Sequence, residues 1–76
     1  MDDLTSSIGT KIKQLRIENQ MTQKELCEDI CSQAEISKIE NGLNSPTVEL
    51  LQKIAARLNS PITLLFENPQ ANEDID

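Results

Sequence analysis

Few side chains in this 76-residue chain are equipped for covalent or metal chemistry. It contains no His, and its two cysteines, Cys27 and Cys31, lie four residues apart. A structural zinc ion normally takes four ligands from Cys, His or carboxylate, so no metal site is expected. A cysteine pair at this spacing, on or near one helix, is read as filling apolar positions, the usual fate of a free Cys, rather than as a redox pair. Free thiols in turn suit a reducing compartment. There is no Ser-His or Cys-His combination and no glycine-rich phosphate loop. No catalytic residue, no cofactor and no enzymatic activity are therefore expected. Adjacent acids such as Glu28-Asp29 read as solvated charge on a helix surface.

The informative spacings are those of helix caps. Thr22 can accept from a free N–H of a first helical turn, and Glu25, three residues on, fits the reciprocal half of a capping box. Leu26, Cys27 and Ile30 then fall on one face. Ser32 and Glu35 repeat the pattern, Ile36 and Ile39 form a buried stripe, and Asn41-Gly42 closes the segment. The spacing predicts helices over about 22–30 and 33–41, joined by a turn of two or three residues. That arrangement is a helix-turn-helix, whose second helix enters the DNA major groove.

The elements that must hold such a motif are also legible. Phe66 is the only aromatic residue, so the core must be aliphatic, which suits a helical bundle better than a sheet. Residues 1–4 read as a frayed start, followed by a helix from Thr5 with Ser6 or Ser7 as cap. Ile8, Ile12 and Leu15 line one face of it, Arg16 lies beside that face, and the helix ends near Glu18-Asn19-Gln20. Met21 can pack as a hydrophobic staple. Ser45-Pro46 predicts the next helix start, Ser as cap and Pro at the first helical position. Val48, Leu51, Ile54, Ala55 and Leu58 form its stripe, broadened by Leu50. Asn59-Ser60-Pro61 ends it and opens a short helix over 61–67, with more apolar surface than one face can bury. The expectation is one all-α domain over 1–66, a compact five-helix bundle, followed by an acidic tail or linker over 67–76.

The net charge of −6 at first argues against nucleic acid. Its distribution weakens the objection. Six acids (Asp2, Asp3, Glu67, Glu73, Asp74, Asp76) lie at the two ends, whereas 4–66 holds seven basic and seven acidic residues. Phosphate affinity depends on local placement of Lys and Arg rather than on overall pI. Without a signal peptide, transit peptide or long apolar run, the chain is expected to be soluble and cytoplasmic, with no membrane partner.

Residues 8–66 resemble the XRE (Cro/C1-type) helix-turn-helix domain of bacterial and phage regulators. The resemblance rests on Ile12, Leu15 and Arg16, on Thr22-Gln23 with Leu26, and on Ile36-Ser37 with Ile39-Glu40-Asn41-Gly42. Ser45-Pro46 followed by Leu50, Ile54, Ala55 and Leu58 completes it. The fold it implies is a lambda-repressor-like bundle. One feature departs from the usual pattern, which has a Gly-Val pair or similar between the motif helices; this chain has one residue fewer there. In that respect Ile30-Cys31-Ser32 and 36–42 resemble the N-terminal domains of peptide-pheromone-responsive regulators of the RNPP group. Those are longer proteins in which a further domain binds the peptide. A peptide partner is therefore expected only if a C-terminal sensor domain exists, and the chain is either a stand-alone relative or the DNA-binding end of a longer regulator.

The resemblance implies roles residue by residue. Gln33, Ala34, Ser37 and Lys38 would face the bases: Gln33 can pair with adenine, Ala34 can meet a thymine methyl, and Lys38 can donate to guanine or to phosphate. Gln23, Lys24, Ser32, Asn41 and Asn44 would contact phosphates. For Lys24 an ordinary exposed Lys is an equal reading, and Asn41 also suits turn chemistry before Gly42. Glu35 would be repelled by phosphates unless it accepts from cytosine N4 or acts as a cap, and the cap is the favoured reading. Arg16 and Glu40 would pair as a brace between the first helix and the end of the recognition helix.

The function implied is sequence-specific binding of double-stranded DNA by a transcriptional regulator, as a homodimer on a palindromic operator, with Ile62, Leu65 and Phe66 as the dimer interface. The competing reading is a protein-interaction module, antitoxin-like or an adaptor, working through an acidic surface.

Overall fold

Five helices form where apolar residues recur at helical spacing, and the first four stop where the chain turns left-handed within two residues of the helix end. The computed structural model describes the backbone of residues 4–66 and the side chains of 8–66. The expected acidic tail at 67–76 and residues 1–3 lie outside the described residues. In order come α1 (Leu4–Glu18), α2 (Gln23–Cys27), α3 (Gln33–Glu40), α4 (Val48–Arg57) and α5 (Ile62–Leu65), with no strand among the described residues. The chain is all-α, as the aliphatic composition implies.

One aliphatic core serves all five helices. Ile12, Leu26, Ile36, Ile39, Ile54, Leu58 and Leu65 are its fully buried large side chains. Each contributes about 1.5–3 kcal/mol by leaving water. Cys27 is buried among them, while Cys31 and Met21 pack against the cluster as half-buried residues. α1 lies across α3, and α4 and α5 close the other side. The crossing of α1 over α3 depends on Gly9: a Cβ there would run into the main-chain carbonyl oxygen of Ile39. Only a residue without a side chain lets the two backbones come this close.

Three helix ends share one device. After α1, Gln20 N–H bonds to the Ile17 carbonyl and Met21 N–H to that of Arg16; after α3, Gly42 and Leu43 do the same to Ile39 and Lys38; after α4, Asn59 and Ser60 to Ala56 and Ala55. Gln20, Gly42 and Asn59 have φ of 59°, 75° and 57°. This paired bonding around a left-handed residue is the Schellman motif, which satisfies the last carbonyls of each helix.

Several expected boundaries move. α1 is already helical at Leu4 and through Ser6 and Ser7, so neither serine caps it. α2 stops at Cys27, short of 30, because Asp29 turns left-handed at φ 66°. The turn before α3 thus spans residues 28–32, longer than two or three residues. α4 is capped by Thr47, whose hydroxyl accepts from Leu50 N–H at 3.1 Å, so Ser45-Pro46 lies before the helix rather than opening it. Val48 becomes the first helical residue and is 62% exposed, outside the core stripe. Ser60 does not cap α5. Its hydroxyl donates back to the Leu58 carbonyl, and Pro61 takes the cap position without a side-chain bond.

Candidate nucleic-acid interface

The motif is α2, the turn and α3. α2 has only five residues and would not hold as an isolated helix. Its start is fixed by a complete capping box: Glu25 N–H donates to the Thr22 hydroxyl at 3.0 Å, and Thr22 N–H donates to the Glu25 carboxylate at 2.8 Å. Its end is fixed from α4. The two terminal nitrogens of Arg57 donate to the carbonyls of Glu25 and Glu28, at 2.9 and 2.8 Å. A planar guanidinium suits two neighbouring carbonyls. In the turn, Ile30 and Cys31 both donate their N–H to the Cys27 carbonyl. Burial pushes the Cys31 thiol above its ordinary range, with Cys27 and the Glu35 carboxylate adding to the effect.

α3 is held from three sides. Ser32 caps it, its hydroxyl accepting from Glu35 N–H at 3.1 Å. Ile36 and Ile39 face the core. Glu40, with a side chain only 1% exposed, receives Arg16 through two nitrogens, Nε at 2.7 Å and Nη2 at 3.2 Å. Arg16 Nη1 also donates to the Met21 carbonyl at 2.8 Å, and Gln23 Nε2 donates to Glu40 at 3.1 Å. One carboxylate thereby joins α1, the start of α2 and the end of α3. A charge withdrawn from water in this way is tolerable only with such pairing and bonding.

The opposite side of α3 is open. Gln33, Ala34 and Lys38 are exposed and Ser37 is half-buried. Among the described residues neither Lys38 nor Lys24 takes part in an ion pair, the one recorded pair being Arg16–Glu40. The residues expected on the DNA backbone are placed less uniformly. Lys24, Ser32 and Asn41 are exposed, but Asn41 donates its side chain to the Ser37 carbonyl at 2.9 Å. Gln23 is half-buried and spends one amide N–H on Glu40, which leaves the other. Asn44 is half-buried and donates to the Glu35 carboxylate at 2.8 Å. Glu35 therefore does not repeat the capping box of Thr22: its N–H supports Ser32, while its carboxylate goes to the loop after α3.

The expected dimer residues separate. Ile62 is half-buried and Phe66 is 41% exposed, but Leu65 is fully buried in the core and offers no surface to a partner. On a four-residue helix packed on α4 and α1, one of the apolar residues had to point inward. Gly9 and Arg57 were not expected. Gly9 carried a signal, an isolated glycine inside a helical pattern. Arg57 carried none, since its partners are main-chain carbonyls about thirty residues away.

A family model described as Helix-turn-helix, HTH_3, matches residues 12–65. HTH-type transcriptional regulator SutR of Escherichia coli (strain K12) is 36% identical over 72 residues, 93% of this chain and 40% of that protein. PlcR of Bacillus thuringiensis, in a crystal structure with the peptide PapR7 and DNA, superposes with a TM-score of 0.77 at 44% identity. The match covers 82% of this chain and 22% of PlcR. The apo competence regulator ComR of Streptococcus vestibularis gives 0.80 at 29% identity, over 95% of this chain and 26% of ComR. This chain thus spans less than half the length of each. PlcR and ComR are RNPP-type regulators, so the likeness to that group holds in structure as well as in residues. The chain belongs to the helix-turn-helix family of XRE type.

Proposed function

We propose that the chain binds double-stranded DNA sequence-specifically as a bacterial or phage transcriptional regulator, with α3 in the major groove. The observation that carries this is the two-sidedness of α3. Its inner side and both ends are fixed by Ile36, Ile39, Ser32 and the Arg16–Glu40–Gln23 network, while Gln33, Ala34, Ser37 and Lys38 stand on the outer side. A helix held this firmly, with donors, acceptors and a methyl on its open side, suits base-edge reading. The naming of SutR as a transcriptional regulator and the DNA bound to PlcR support the same reading. Catalysis has no part in it.

In this reading Gln33, Ala34, Ser37 and Lys38 contact bases. Lys24, Ser32, Asn41 and the remaining N–H of Gln23 contact phosphates. A single α3 reads only a few base pairs, so we propose a homodimer on a palindromic site, with Ile62 and Phe66 at the interface. No helix among the described residues is long and apolar enough to cross a membrane, and a DNA-reading role belongs in the cytoplasm. A peptide partner is proposed only for a longer chain that carries a sensor domain.

The test is selection from a randomised duplex pool. The expected result is an enriched motif of two inverted half-sites with centres about 10 base pairs apart. The net charge of −6 favours the competing reading, a protein-interaction module. A pool that shows no enrichment even at low salt would favour it and contradict DNA reading.

A further inference from the structure

We propose that Asn44 is a positioning residue: by holding the Glu35 carboxylate, it keeps the Lys38 ammonium unpaired and available to DNA. Glu35 and Lys38 lie three residues apart on α3, a spacing at which Glu and Lys pair on helix surfaces. They do not pair here. Lys38 is exposed and outside the one ion pair among the described residues. The Glu35 carboxylate instead accepts from Asn44 Nδ2 at 2.8 Å, a donor nine residues on in the loop between α3 and α4. The end of the helix does not account for this arrangement. At Thr22 the corresponding carboxylate returns to the cap N–H, whereas at Ser32 only the Glu35 N–H takes part. The partner that replaces the cap is a neutral amide, which fixes the carboxylate without using up a cation.

The consequence concerns the reading face. Paired with Glu35, Lys38 would have to give up that partner before donating to a base or a phosphate. With Asn44 in place there is nothing to give up, and the one negative charge on this part of α3 is anchored to the loop. This rests on the DNA-binding reading above, because Lys38 gains from being unpaired only if DNA is its partner.

Three variants of the full 76-residue chain test it: Asn44→Ala, Glu35→Gln, and both together. The first readout is affinity, by fluorescence anisotropy, for the duplex that the wild type enriches from a randomised pool. Asn44→Ala should bind about twofold more weakly, the effect of one helix-surface pair that must be broken. Glu35→Gln should bind as tightly as the wild type or more tightly, and the double variant should lose the Asn44→Ala defect. The second readout needs no DNA. A crystal structure of Asn44→Ala should place Lys38 Nζ within about 4 Å of a Glu35 carboxylate oxygen, the range of an ion pair. A double variant as weak as Asn44→Ala would overturn the proposal, since Asn44 would then be touching DNA itself. So would Lys38 staying apart from Glu35 in that crystal structure. A wild type that enriches no sequence would contradict the DNA-binding reading, and this inference with it.

Discussion

Glu40 carries a charge where almost none of its side chain meets water, and the bonds from Arg16 and Gln23 make that tolerable. Removing one partner of such a pair costs more than replacing both, because an unpaired charge is left buried. Arg16→Ala should therefore destabilise the fold by about 3–5 kcal/mol, and Arg16→Met with Glu40→Leu by clearly less. Urea unfolding of the single and double variants measures both, and equal losses would show that the pair is not what holds α3. Gly9→Ala should also destabilise, by about 1–3 kcal/mol, although Ala is the better helix former. The Ile39 carbonyl it meets is main chain and cannot swing aside. The Cys31 thiol, raised by burial and by its neighbours, stays protonated at neutral pH. Alkylation at pH 7 should be much slower in the folded chain than in urea, since the thiolate is the nucleophile. Equal rates would show that the turn opens readily.

At the scale of elements, the turn between α2 and α3 holds Asp29 in the left-handed conformation at φ 66°. Asp tolerates that region better than most residues, but not as freely as Gly. Asp29→Gly should raise stability by up to about 1 kcal/mol while leaving α3 in place. A loss, read as a lower Tm, would mean that the Asp side chain supports the turn. The same element shows what the sequence discloses. Thr22, Glu25, Ser32, Asn41 and Gly42 announce the motif because caps and left-handed ends are local events, set by residues three or four apart. α2 is shorter than its apolar periodicity implies, because Leu26, Cys27 and Ile30 keep the spacing past the point where Asp29 breaks the helix. α4 is capped by Thr47 rather than Ser45: both are competent caps, and the path of the loop from α3 decides between them. Arg57 as a clamp, Gly9 as a crossing point and the inward turn of Leu65 are tertiary facts. No local spacing encodes them, beyond the hint that an isolated glycine inside a helical pattern gives at Gly9.

For the whole molecule, the proposed function raises the question of how a chain of net charge −6 would read DNA. Charge balance over 4–66 supplies part of the answer, and the placement of Lys24 and Lys38 at the motif supplies more, since both are exposed and unpaired among the described residues. With Lys24 and Lys38 as the only cations of the motif, nonspecific affinity should be low and specificity should rest on α3. The central claim is thus that the outer side of α3 discriminates sequence. Its most direct test is the ratio of specific to nonspecific affinity for the Gln33→Ala, Lys38→Gln double variant, measured beside the wild type on the enriched duplex and on a scrambled one. Both substituted residues are exposed, so the fold should persist, as circular dichroism will register. The predicted result is a ratio lowered by about tenfold or more, the worth of one good base contact. An unchanged ratio in a folded double variant would contradict the account.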